Sequence, residues 1–411
     1  MKKKLLIIKP DSIGDFVIFS GYLKYIRKYF SDYEILMVVR NTVKDIALMD
    51  KSVDEVISFD RTKFEKDRKY SLSFITELKN LKAEIVLHPV FSRDIIGDFL
   101  SLNSGAKKVF GFKGDSLNML WDIKLGNDKK YDVLVNIPKN VKLEIKRLAY
   151  FLKYFDKNMP SFVLPEDYAN NNIIGIAKKL LKNLNVNGNF IAVSPFPSSS
   201  IRSWPLKKWQ AVFNYFGNER FIILGSEKDK HLADYLKNNA WMKNVYSLCG
   251  ETGLPEIYGI LKLSKLHLCV ETSLLHIATA VGKKSVCIAG GGHYGRFFPY
   301  SRLQRIVVNR LPCFNCNWQC VFLENKCIDN IGVEEVIKEI EKIIGKNKKS
   351  SFFYEYMGYQ YYLNGSLNES AGNFESAREN FEKILNIKKC KYYDAAKWRL
   401  SRLDKNRKNE K

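Results

Sequence analysis

The run Val270-Glu271-Thr272-Ser273-Leu274-Leu275-His276-Ile277-Ala278-Thr279-Ala280-Val281-Gly282 joins an apolar strand to an apolar helix through a turn of small polar residues. Upstream, Leu266-His267-Leu268-Cys269-Val270 has the near-unbroken apolar character of a strand covered on both faces. Downstream, Leu274 to Ala280 predicts a helix packed against a sheet. Thr272 and Ser273 stand where N-caps belong. The first backbone N–H groups of such a helix lack intrahelical partners, and its dipole adds partial positive charge, so the turn predicts a site for a diphosphate. A lone capped helix usually binds nothing, so the weight comes from repetition of the pattern elsewhere.

Three other segments repeat it. Leu5-Leu6-Ile7-Ile8-Lys9 is a short buried strand, followed by Pro10-Asp11-Ser12-Ile13-Gly14-Asp15 and a helix rising through Phe16, Val17, Phe19, Leu23 and Ile26. Phe190-Ile191-Ala192-Val193-Ser194 leads into a polar loop ending at Ser203, then Trp204-Pro205, which closes a helix start. Phe221-Ile222-Ile223-Leu224 ends on Gly225-Ser226-Glu227. Strand-like runs at Leu5–Ile8, Ile35–Val39, Val53–Phe59, Ile85–His88 and Lys108–Phe112 alternate with helical patterns, and a second alternation follows through Phe190–Ser194, Phe221–Leu224, Leu266–Val270, Ser285–Ala289 and Ile306–Val308. Such alternation implies parallel, helix-covered sheets. The fold class is α/β: two Rossmann-like halves facing across a cleft, with the sites beyond the strands' carboxyl ends. We expect halves at 1–162 and 163–345, joined by a linker bracketed by Pro160 and Pro165, and a helical segment at 350–404.

In order and spacing these four segments resemble glycosyltransferase family 9, the ADP-heptose:lipopolysaccharide heptosyltransferases and their relatives, over roughly residues 1 to 345. The resemblance implies the GT-B architecture and an inverting transfer that needs no metal. The donor would be a nucleotide-diphosphate sugar such as ADP-heptose, the acceptor an anionic, lipopolysaccharide-type lipid-linked oligosaccharide. A protein acceptor is the alternative within the enzyme class, and a non-catalytic nucleotide-sugar-binding scaffold the alternative outside it.

Asp15 and Asp11 are both placed to serve as base, and spacing alone does not choose between them; the family pattern selects Asp15. A carboxylate with a reference pKa of ~3.9 is a weak base, so position must do much of the work. Gly14 would let a substrate, the acceptor above all, approach the turn. In the middle loop Ser198, Ser199 and Arg202 are donor candidates, Arg202 matching a basic family position and suited to fork onto phosphate oxygens. Glu227 would accept the ribose hydroxyls. The backbone amides of Thr272, Ser273 and Leu274 would hold the diphosphate, and His276 matches a family histidine facing the ligand. Where the family has Asp-Thr-Gly, this chain has Glu271-Thr272-Ser273, so Glu271 is a methylene longer and the sugar need not be heptose. Gly290-Gly291-Gly292-His293-Tyr294-Gly295-Arg296 would let the backbone approach the donor, with Arg296 as a donor-side cation. Arg93 is either a grip for an acceptor phosphate or an ordinary surface arginine.

Cys313, Cys316, Cys320 and Cys327 have the spacing C-x2-C-x3-C-x6-C, which predicts a closed structural site for zinc or iron rather than disulfides in a reducing compartment. Cys249, Cys269 and Cys287 read as small core residues. Against 44 Asp and Glu stand 67 Lys and Arg, a net charge of +23, which points to anionic partners. The cations are dispersed rather than striped, which argues against nucleic acid. Met1-Lys2-Lys3-Lys4 runs into a strand too short for a signal-peptide core, so the expected location is the cytoplasm, with a basic face able to rest on the inner membrane surface. Met357-Gly358, Tyr361, Gly372-Asn373-Phe374, Ala377, Phe381 and Ile384 resemble a tetratricopeptide repeat with a loop about seven residues too long, capped by a helix from Tyr393 to Leu403. One repeat cannot bury its own apolar face, so it must dock on the rest of the chain, on a second copy or on a protein partner. Lys405–Lys411 reads as a solvated tail.

Overall fold

The computed structural model describes residues 2–240, 243–345, 351–387 and 390–409. Two six-stranded sheets organise it. The first contains β1 (Lys3–Lys9), β2 (Tyr33–Arg40), β3 (Glu55–Phe59), β4 (Ile85–His88), β5 (Lys108–Phe112) and β6 (Val133–Val135), in the order β3-β2-β1-β4-β5-β6. The second contains β7 (Ile191–Ser194), β8 (Phe221–Ile223), β9 (Val245–Ser247), β10 (Leu266–Val270), β11 (Ser285–Ile288) and β12 (Gln304–Val307), in the order β12-β11-β10-β7-β8-β9. Each ladder is parallel, and the central strands are apolar on both faces because helices cover both. The expected fold class is the observed one.

In each sheet the chain runs outward in one direction, returns to the centre and runs outward in the other, so strand order reverses between β1 and β4 and between β7 and β10. A crevice opens at such a reversal because neighbouring loops leave in opposite directions. The loops after β1, β7 and β10, beside these reversals, carry three of the four motifs, and the fourth follows β8.

Two strands escaped the sequence reading. β6 and β9 are three-residue edge strands, each bonded to a single neighbour, too short to leave an apolar run of their own.

The halves touch through the helices that follow β1 and β10, Ile13–Ser20 and Ser273–Ala280. One apolar cluster runs from Phe16, Ile18 and Tyr22 through Ile173 and Tyr258 to Ile222 and Leu224, crossing from the first half to the second. Tyr22 donates to the Ile145 carbonyl at 2.6 Å, and the Glu166 N–H donates to Ser20 Oγ at 2.9 Å, tying the intervening segment down.

The C-terminal segment forms helices Ser351–Ser370, Phe374–Leu385 and Tyr393–Asn409. The first helix is longer than expected, so its turn is only Ala371-Gly372-Asn373, with Gly372 at φ 77°, and the extra loop residues are helix. The stretch read as a solvated tail continues as helix to Asn409; residues 410 and 411, like Ser350, lie outside the described residues. Ala377, Phe381, Ile384, Ala396 and Leu400 form a small core of its own. Tyr354 and Met357 pack on the core of the second half, so the segment docks on its own chain. Among the described residues no helix is long and apolar enough to cross a membrane.

Candidate active site

Beyond the carboxyl ends of β1, β7 and β10 lies a cavity of about 890 Å³ lined from both halves, including Gly14, Asp15, Ser198, Arg202, Glu271, Thr272, Ser273, Leu274 and His276. A second, polar cavity of about 210 Å³ lies beside it, lined by Lys9, Asp11, Arg40, Ser92, Asp94, Asn118, Glu144 and Arg296 among others. Ser12, Asp15, His293 and Phe297 line both. Asp15 therefore stands at the junction of two compartments, in the first turn of its helix, and Ser12 Oγ donates to its Oδ2 at 2.5 Å.

Gly14 lines the larger cavity and is also closely packed. A Cβ there would lie 3.3 Å from His276 Cδ2 and 3.6 Å from Ser273 Cα, because the two helix starts meet nose to nose. His276 stacks on Tyr300 with centroids 5.6 Å apart, and its Nδ1 shares a 3.0 Å hydrogen bond with the Tyr300 hydroxyl. Burial pushes the His276 pKa down to about 4 despite the opposing charge of Asp15, so its ring is neutral at physiological pH.

The helix after β10 begins at Thr272, whose backbone is extended and whose side chain makes no cap bond. Thr272 Oγ1, Glu271 Oε2 and Arg202 Nε are all buried without a hydrogen-bond partner. Orphaned polar atoms are costly when buried, and three on one cavity wall mark a place that a polar ligand completes. Glu271 is 6% exposed: its Oε1 accepts from His293 Nδ1 at 2.6 Å and lies 3.5 Å from Arg202 Nη1. Arg202 Nη2 donates to Ser198 Oγ at 2.8 Å, and the guanidinium carbon sits 5.9 Å from the centre of the Trp318 ring. Arg202 is thus held by Ser198 and Glu271, with its Nε left unpartnered.

The smaller cavity is densely charged. Lys9 is ion-paired with Asp11 at its base. Burial pushes the Asp11 carboxyl up to about 6, against the pull of Lys9 and with help from the Asp15 charge. Burial also opposes the Lys9 charge, but Asp11 and Asp15 outweigh it and hold Lys9 above the ordinary lysine range. Arg61 Nη1 donates to Asp94 Oδ2 at 2.6 Å on the opposite wall.

Five expectations are corrected. Arg93 is 1% exposed, paired with Asp128 and Asp98 and lying 4.6 Å over the Tyr131 ring, so it braces the first half and cannot grip an acceptor. Arg296 lines the smaller cavity and not the larger one: Nη2 donates to Ser92 Oγ at 2.8 Å and Nε to Glu144 Oε2 at 3.3 Å, bridging the halves. Gly290, Gly291 and Gly292 make room for the rings of Trp318 and Phe314, with which added Cβ atoms would collide, so this run seats the cysteine loop rather than a donor. Glu227 has a side chain 73% exposed, beside Lys230 and over Gly250, and lies off the cavity wall, where Ser226, Lys228 and Asp229 stand instead. Ser199 is likewise off the wall, as the residue preceding the short Ser200–Arg202 turn.

Cys313, Cys316, Cys320 and Cys327 line one small cavity of about 20 Å³ with Phe314 and Trp318. Burial and the neighbouring thiols hold the Cys327 pKa above the ordinary range. Among the described residues, however, no three His, Cys, Asp or Glu side chains are gathered closely enough to hold a metal ion, so this geometry does not supply the expected zinc or iron cage. Cys249, Cys269 and Cys287 are core residues, as expected.

The sequence reading missed Lys9, Arg40, Glu144 and His293 as wall residues. Lys9 had a signal, since it ends a strand at the reversal point; Arg40 and Glu144 come from distant elements and had none.

Two Rossmann sheets with facing switch points, and a carboxylate at the junction of two cavities, define a GT-B glycosyltransferase. The chain belongs to glycosyltransferase family 9 (heptosyltransferase), which residues 101–325 match. No curated protein matches it. Its fold is similar to that of a glycosyl transferase family 9 protein from Veillonella parvula DSM 2008, with TM-score 0.67, 14% identity and coverage of 83% of this chain and 97% of that one. It is also similar to the E. coli ADP-heptose lps heptosyltransferase II, with TM-score 0.63, 16% identity and coverage of 83% and 98%. The E. coli heptosyltransferase WaaC with ADP-2-deoxy-2-fluoro heptose gives TM-score 0.63, 17% identity and coverage of 82% and 99%.

Proposed function

We propose that this glycosyltransferase moves a heptose-like sugar from a nucleoside diphosphate, ADP-heptose in class, onto an anionic lipid-linked oligosaccharide. The observation that carries the reading is the position of Asp15 between the two cavities. A donor in the larger cavity and an acceptor hydroxyl in the smaller meet at this carboxylate, which takes the hydroxyl proton as the oxygen attacks the anomeric carbon from the face opposite the leaving diphosphate. The configuration is inverted. Arg202 and the N–H groups that open the Ser273–Ala280 helix offset the charge gathering on the leaving group. Glu271, held by His293 and Arg202, keeps Oε2 for a sugar hydroxyl. The division of labour places residues 1–162 on the acceptor side and 163–345 on the donor side.

Two further facts support the choice of donor and acceptor. Two solved structures of one similar protein, the E. coli heptosyltransferase WaaC, hold ADP and ADP-2-deoxy-2-fluoro heptose. Among the described residues the C-terminal helices, the motive for a protein acceptor, line neither cavity, which favours a glycan. Thermal stabilisation by ADP, UDP, GDP and CDP tests the reading, because a cleft ligand raises the melting point more the tighter it binds. A selective shift with ADP is expected. No shift with any nucleotide would overturn the nucleoside-diphosphate donor assigned to the larger cavity.

A further inference from the structure

Beside the smaller cavity the first half exposes a group of apolar side chains that its own core does not need. Leu117, Leu120, Trp121 and Leu125 are 49, 69, 63 and 43% exposed. Ile95 and Phe99, at 52 and 40%, form an i, i+4 stripe on the outer face of the neighbouring helix Ile95–Leu102. Trp121 and Leu125 form the same kind of stripe on the helix Trp121–Asp128, whose inner face is fixed by Lys124 and Asp128.

The two helices are locked together. Asn127 Nδ2 donates to Asp98 Oδ2 at 3.0 Å, and Asn118 Nδ2 donates to the Ser92 carbonyl at 2.8 Å. Met119 is buried and pins the turn between the exposed leucines. These residues are held outward by a satisfied polar underside; they are not a frayed loop. Monomeric proteins rarely present so many large apolar side chains together without an occupant.

The chemistry of the surroundings selects that occupant. Lys113, Lys129 and Lys130 bracket the leucines and Trp121 along the chain, and the Phe99 ring meets Phe64 at 6.1 Å in a segment that exposes Lys63 and Lys66 together with Glu65 and Asp67; all five lysines are exposed. Asp122 is the one exposed acid between Leu117 and Lys130. Exposed tryptophan and leucine bracketed by Lys113, Lys129 and Lys130 suit an anionic bilayer, where apolar groups enter the headgroup boundary and cations meet the negative surface. The position agrees: Asn118 lies between Leu117 and Leu120, Asp94 immediately precedes Ile95, and both Asn118 and Asp94 line the smaller cavity. We propose that this face seats the enzyme on an anionic membrane surface, so that a lipid-anchored acceptor presents its sugar directly to the cavity beside Asp15. The proposal rests on the reading of that cavity as the acceptor site.

The test is flotation of the full chain with vesicles of phosphatidylcholine alone and of phosphatidylcholine with phosphatidylglycerol, alongside the double variant L120S/W121S. ADP-induced thermal stabilisation, read on the same proteins, reports the donor cavity independently. The expected result is binding to the anionic vesicles that weakens with salt, falls at least about tenfold in the variant and leaves the ADP shift unchanged. If L120S/W121S loses the ADP shift and so fails to fold, the triple variant K113E/K129E/K130E replaces it, with the same loss of binding expected. Wild-type protein that stays off anionic vesicles, or variants that bind as it does, overturn the proposal while leaving the transferase reading to the ADP result. A dimer in sedimentation that the variant abolishes, with no vesicle binding, overturns it in favour of a second copy on this face.

Discussion

Replacing Asp15 by asparagine keeps the side chain's shape and removes only its capacity to take a proton. The amide can still accept the Ser12 hydroxyl bond that spans 2.5 Å in the native chain. No neighbour is fit to substitute: His276 has its pKa pushed down to about 4 and its Nδ1 engaged by Tyr300, and Asp11 is tied to Lys9. Loss of a positioned general base costs roughly 10²–10⁴ in rate, about 3–5 kcal/mol of barrier. Donor affinity should hold, because Arg202, Glu271 and the Thr272 helix start are untouched. Single-turnover sugar transfer measures the rate, and calorimetry with ADP measures the affinity. D11N is the control, with a smaller loss expected because Asp11 reaches the junction only through its neighbours. Transfer by D15N within an order of magnitude of wild type, or a larger loss in D11N, would refute the assignment of the base.

Arg202→Ala should weaken ADP binding by about 10–100-fold, as expected for a lost charge-assisted contact, and Arg202→Lys should recover only part of it because the fork is gone; calorimetry reads both, and an unchanged dissociation constant removes Arg202 from the diphosphate site. His276 binds its proton less readily when folded than when unfolded, so the unfolded chain takes up protons first and stability falls as pH drops from about 6.5 toward 4. That costs about 2 kcal/mol near pH 5, which should appear as a lower melting point and be largely absent in His276→Gln; equal acid sensitivity in the two proteins contradicts the burial argument. Gly291→Ala drives a methyl group into the Phe314 ring and should cost about 1–3 kcal/mol of stability by thermal melting. A variant that melts normally but loses ADP affinity would restore these glycines to the donor site.

Most of the architecture was legible because it rests on short-range patterns. Buried parallel strands such as Leu266–Val270 announce themselves as apolar runs, and the helix after each glycine or small-residue turn has its own period. Asp15, Arg202, Glu271, Thr272 and His276 were legible with them, since each lies within a few residues of a strand end and therefore of the crevice. What failed were inferences about which way a side chain turns. Arg93 sits at a strand end like the others, yet Asp128 and Asp98, residues on other elements, draw it inward. Arg296 stands in a loop of the second half but is captured by Ser92 and Glu144 of the first.

The sequence by itself determined the twin parallel sheets, the family and the residues that open the cleft, because strand, turn and helix signals are local and their order along the chain sets the topology. Only the tertiary structure decided that Asp15 divides two cavities, that Gly14 packs against His276, that the glycine run serves Trp318 and Phe314, and that four thiols share a cavity without converging. Those outcomes depend on which distant elements come within a few ångströms of one another. That proximity is set by how the two halves pack together, and spacing along the chain does not encode it.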